Sequence, residues 1–117
     1  MQPAPIKPLI TLDTLQKVDI RVGTIVRVED VEKSNSLVRL TVDCGDRERH
    51  IMAGMKGERD DPQEIVGRQA LFVLNLEPRK MFGELSEGML FDLGYEDGVQ
   101  PALAVPESAV PNGTRAG

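Results

Sequence analysis

Apolar and polar residues alternate along much of this chain, and the alternation divides it into strands. From Val18 the period is two: Val18, Ile20 and Val22 fall on one side, Asp19 and Arg21 on the other. Gly23 interrupts the pattern before Ile25 and Val26, and a glycine inside a strand predicts a bulge or a sharp bend. A long first strand bent at a glycine is what a small closed barrel requires. LVRLTVD, Leu37–Asp43, predicts a second strand with Val38, Leu40 and Val42 on one face. DCGDRE turns the chain at Gly45, and RHIMAGM, Arg49–Met55, predicts a third strand. QALFVLNL, Gln69–Leu76, is nearly continuous in apolar residues, which predicts a strand covered on both faces. SEGMLFDLG and VQPALAVP predict later strands.

Two segments carry helix punctuation instead. In TLDTLQKVD, Thr11 can cap a short helix that turns Leu12 and Leu15 inward. In DDPQEIVGR, Asp61 suits the N-cap and Pro62 the first helical position. Glu64 can complete a capping box, and Gly67 can end the helix. Residues 1–9, with three prolines, read as a flexible leader, which leaves 10–117 as one domain. A short helix between the third and fourth strands of a five-stranded Greek-key barrel is the oligonucleotide-binding (OB) arrangement. The expected fold is therefore all-β: an OB-fold barrel with that helix and a second short helix at the N-terminus. An SH3-like barrel also matches the strand pattern, but the placed helix favours the OB arrangement.

Composition narrows the function classes. Aromatic residues make up 3% of the chain and Trp is absent, so Val, Leu, Ile and Met must build the core. The one cysteine, Cys44, excludes an internal disulfide and suits a reducing compartment. No apolar run approaches the ~18 residues of a membrane span, and MQPAPIKP lacks the regions of a signal peptide. The expected location is the cytoplasm, with no membrane partner. Net charge is −5, which alone argues against a nucleic-acid partner. The charge is uneven, however. Residues 17–56 carry eight cations and seven anions, whereas residues 57–117 carry five and eleven.

Catalytic chemistry is thinly represented. One histidine, His50, and one cysteine, Cys44, lie near a turn with no residue evidently placed to orient a base. No Cys or His pair has metal-ligand spacing, and ERDDPQE lacks the alternation and central glycine of a calcium loop. No catalytic residue, metal or cofactor is expected. The exception to this plainness is NLEPRKMFGELSEGM, Asn75–Met89, where adjacent cations Arg79 and Lys80 enter a glycine-containing loop.

The segments KVDIRVGTIV, RLTVDCG, IMAGM, DPQEIVGR, NLEPRKMFGELSEGM and VPNGT, in that order, resemble the tRNA-binding domain of the OB fold. That module occurs as the C-terminal extension of methionyl-tRNA synthetases and as free-standing tRNA-binding proteins. The resemblance implies a non-catalytic homodimer that reads the corner of tRNA by shape and backbone and can assist an aminoacyl-tRNA synthetase. It implies that Arg79 and Lys80 meet phosphates and that Ser86 and Met89 stand at the RNA surface, with Gly83 and Gly88 allowing close approach. Lys33, Asn35 and Arg39 are implied to face the RNA as well. The family carries a lysine where Ser36 stands and an acid where Asn35 stands, so Lys33 or Arg39 would supply the missing phosphate contact. The family's Ser-Gly pair is Ala53-Gly54 here. Leu12, Leu15 and Val18, with PALAVP at the other end, are the expected dimer interface; the alternative is that they plug the barrel floor. Two other functions stay open. Export chaperones of the CsaA type share this fold and dimer and bind unfolded peptides, although RHIMAGM here differs from their third-strand segment. A pure dimerisation domain that has lost RNA binding would also carry the Ser36 and Ala53 changes.

Overall fold

The computed structural model describes residues 2–94 and 96–117; Met1, the first residue of the expected leader, and Tyr95 lie outside the described residues. Strand β1 spans Ile20–Asp30, β2 Leu37–Asp43, β3 Glu48–Gly54 and β4 Gln69–Val73. Beyond them come β5 (Arg79–Met81), β6 (Glu84–Ser86), β7 (Met89–Leu90), β8 (Asp92–Leu93), β9 (Ala102–Leu103) and β10 (Arg115–Ala116). The main sheet is antiparallel, in the order β3-β2-β1-β4-β7.

Strand β1 organises this OB-fold arrangement because it serves two partners. Its second half, Thr24–Asp30, pairs with β2, and its first half, Ile20–Thr24, pairs with β4. Where β2 departs, β10 takes its edge. The change of partner falls at the predicted bend. Gly23 is buried there, and a Cβ would lie 2.6 Å from Val42 Cγ1. A bulge follows between Ile25 and Arg27. The predicted faces are observed: Val38, Leu40 and Val42 all enter the core with Ile25, Val28 and Ile51. Phe72 from β4 is the largest fully buried side chain. On the periphery of the fold, Ile65 and Leu103 complete the same core.

The barrel seam is closed by two side chains and one backbone bond. Between β3 and the Ser86–Met89 segment there is no continuous backbone ladder. Instead, Met52 N donates to Ser86 Oγ at 3.0 Å and Glu87 N donates to His50 O at 2.9 Å. The Glu87 carboxylate accepts from His50 N at 3.2 Å. Buried backbone groups left by a missing ladder need such partners.

Both helices depart from expectation. Between β3 and β4, Pro62–Ile65 forms one 3₁₀ turn. Asp61 caps it as predicted, accepting from Gln63 N at 3.0 Å. The chain returns to extended geometry at Val66, leaving no room for an α-helical register. Glu64 completes no capping box; its carboxylate pairs with Arg59 at 2.6 Å. Helix α1, Leu12–Leu15, is capped by Thr11 as expected, but none of its residues is buried. Leu12 and Leu15 do not turn inward: they are 65% and 52% exposed, and Val18 is 41% exposed. They plug no barrel floor, because all three side chains stay exposed. Asn75 anchors this segment, accepting from Asp19 N at 2.8 Å and donating to Lys17 O at 2.6 Å. Among the described residues no helix is long and apolar enough to cross a membrane.

Glu58 and Asp92 face one another at the other side of the acidic segment. Burial, first of all, holds both carboxyls above the ordinary carboxylate range. A raised folded-state pKa means that the ionised form weighs against folding. That penalty is present above the folded pKa and disappears as pH falls below the unfolded value of ~4. Asp92→Asn is therefore expected to raise the melting temperature near neutral pH and to lose that advantage at about pH 3. Thermal melts of both proteins at the two pH values check this, and an equal shift at both would refute the assignment.

Candidate nucleic-acid interface

The NLEPRKMFGELSEGM segment is a hairpin rather than an open loop. Strands β5 and β6 pair with Arg79 opposite Ser86, Lys80 opposite Leu85 and Met81 opposite Glu84. Met81 packs onto a small second cluster of Val31, Leu37 and Met52. The hairpin is thus seated on the outer face of β2 and β3. Arg39 of β2 fixes it electrostatically, pairing with Glu84 of β6 and with Glu29 of β1, the latter at 3.2 Å.

The same cluster joins the hairpin to the loop between β1 and β2. Val31 and Leu37 flank that loop, which carries Lys33, Asn35 and Ser36, all exposed. Buried Ser34 shapes it, its Oγ accepting from Ser36 N at 3.2 Å and Leu37 N at 3.0 Å. Lys56 clamps it from outside, donating to Val31 O at 2.8 Å and Ser34 O at 2.6 Å and pairing with Asp30. Lys56 is a positioning residue absent from the sequence-based set. Its partners are 22 to 25 residues away in the chain, so no local pattern marks it.

The expected site residues therefore divide. Lys33, Asn35, Arg79, Lys80 and Met89 are exposed, and the first four border one cluster. Among the described residues Lys33, Arg79 and Lys80 have no carboxylate partner, whereas eight of the fourteen cations do. Two residues are placed differently. Arg39 is not a free cation: the hydrogen bond to Glu84, then that to Glu29, raise its pKa further and tie its guanidinium to the barrel. Ser86 is not at the surface. It is 5% exposed, and its hydroxyl is held between Met52 N and Gly88 O in the seam. Gly88 likewise serves the fold, since a Cβ there would lie 2.8 Å from Val73 O. Ser86→Ala is expected to lower the unfolding free energy by about 1–3 kcal/mol, because it strands the buried Met52 amide. Denaturant unfolding measures this; an unchanged midpoint would remove Ser86 from the seam.

A separate cleft of about 500 Å³ is lined by Asp19, Arg21, Cys44, Asp46 and Arg49 among others. Its arginines are already matched. Arg21 grips Asp19 at 2.9 and 3.1 Å, and Arg49 grips Asp46 at 2.8 and 3.0 Å. The Arg49 contact holds the Asp46 carboxyl well below the usual range. Burial pushes the Cys44 thiol up, away from reactivity. No unmatched charge remains there for an anion.

Comparison with known proteins identifies the family. Residues 20–115 match the family described as "Putative tRNA binding domain". The chain belongs to this tRNA-binding domain family. A methionine–tRNA ligase of Chlorobium chlorochromatii is 45% identical over 100 residues, covering 82% of this chain and 14% of that enzyme. The tRNA-binding domain thus spans a small fraction of that relative's length. Among solved structures, a MetRS-related protein from Pyrococcus horikoshii superposes with a TM-score of 0.85 at 33% identity. The match covers 94% of this chain and 99% of that one. The chaperone CsaA of Bacillus anthracis reaches 0.81 at 25% identity, over 94% and 100% of the two chains.

Proposed function

We propose that this chain is a non-catalytic module that binds tRNA by shape and backbone, as a homodimer in the cytoplasm, and assists an aminoacyl-tRNA synthetase. The observation that carries this reading is the group of unmatched cations Lys33, Arg79 and Lys80. They border one cluster on a protein eight of whose eleven other cations are paired with carboxylates among the described residues. Phosphate contacts of this kind position a folded RNA without reading its bases. Asn35 and Met89 lie exposed on the same segments and are the remaining contacts proposed. Tethering tRNA beside a synthetase raises its local concentration without adding chemistry. The exposed apolar set Leu12, Leu15 and Val18 supports the dimer.

The test is binding of folded tRNA against an unstructured RNA of equal length at two salt concentrations. With ~5 phosphate contacts, a fourfold rise in salt weakens binding by about 10² or more. Preference for the folded RNA with that slope supports the reading; no binding at low salt overturns it. A second reading, a peptide-binding chaperone, is favoured by the exposed Leu76, Leu85 and Met89 around the hairpin. It predicts binding of an unfolded polypeptide with little salt dependence.

A further inference from the structure

The hairpin closes through two residues, Phe82 and Gly83, with φ of 51° and 81°. Two consecutive left-handed residues define the type I′ turn that suits a two-residue hairpin, and Asn-Gly is its usual sequence. Phe82 is the single non-glycine residue with positive φ among those described. A bulky side chain is disfavoured in that conformation, and asparagine would not be. Packing does not account for the phenylalanine either. Its side chain is 54% exposed, while its neighbour Met81 fills the cluster below. Strain retained at an exposed aromatic directs attention to what the ring meets outside the chain.

Its surroundings narrow the answer. Lys80 lies two residues before Phe82, across the hairpin from Leu85, and Arg79 precedes it; both cations are exposed and lack a carboxylate partner among the described residues. A flat apolar face beside two free cations matches a nucleotide, with its base on the ring and its phosphates on the cations. We infer that Phe82 stacks on an unpaired base of the bound RNA while Arg79 and Lys80 hold the adjoining phosphates. This inference rests on the tRNA-binding reading above and gives it a second kind of contact. Stacking tolerates every base, so it adds affinity for exposed bases without sequence preference.

Phe82→Asn separates the two effects because Asn-Gly keeps the turn. Its melting temperature is expected to equal or exceed that of the parent. Its affinity for folded tRNA is expected to fall by about 5- to 150-fold, the range for losing one base stack. The salt slope stays unchanged, since no phosphate contact is lost. Phe82→Trp restores affinity, and binding to a fully paired RNA duplex of similar length does not respond to either variant. Unchanged tRNA affinity in Phe82→Asn, or an equal loss towards the duplex, overturns the inference and leaves the tRNA-binding reading standing. Failure of the parent protein to bind any RNA at low salt overturns both. Loss of unfolded-polypeptide binding in Phe82→Asn, with RNA binding intact, assigns the ring to a peptide and overturns the inference.

Discussion

Changing Arg79 and Lys80 together to alanine is expected to weaken tRNA binding by about 10², with the salt dependence reduced by about two phosphate contacts. The magnitude follows from counterion release: each neutralised phosphate contributes roughly tenfold near 0.1 M salt. Neither residue supports the fold. Both are exposed, both lack a carboxylate partner among the described residues, and the hairpin is held by Met81 and Glu84 instead. The double variant should therefore unfold at the parent's denaturant midpoint. Titration of labelled tRNA at several salt concentrations reads both effects at once. Parent-like affinity and slope would move the RNA surface away from the hairpin.

The second large effect concerns assembly. Leu12→Asp with Leu15→Asp is expected to convert the proposed dimer into monomers at any practical concentration. Two leucines per protomer, each contributing about 1.5–3 kcal/mol when fully buried, shift the dissociation constant by at least ~10³. Such a change would ordinarily threaten folding, but α1 contributes nothing to the core. Unfolding of the isolated monomer should be unaffected. Sedimentation of both proteins measures the change; a variant of unaltered mass, or a parent that is already monomeric, would exclude this face as the interface.

The barrel was legible in the sequence because a period of two states which side of a strand is inside. Val38, Leu40 and Val42 show this, and the bounds of β2 coincide with the predicted run. Gly23 marked the bend because no other residue fits beside Val42. The helices were less legible. The leucines of α1 carry the same apolar signature whether they face the chain's own core or another molecule. The site was harder still. Arg39 meets Glu84 across 45 residues and Ser86 meets Met52 across 34, so their duties depend on contacts that no window of sequence contains. A serine in a glycine-bearing loop reads as a ligand contact with equal ease. The local hairpin is weakly marked in the sequence because its turn is Phe-Gly, not Asn-Gly.

The side-chain seam bears on how relatives of this protein are recognised. Ser86 and Glu87 belong to the segment that most sharply marks the family resemblance, yet their observed partners are His50, Met52 and Gly88 of the same chain, together with Arg47. A descendant that had exchanged RNA for a peptide would still need both residues to close its barrel. The signature therefore follows ancestry and architecture, whereas a change of ligand would be written in Lys33, Arg79, Lys80 and Phe82, which the barrel leaves free to vary.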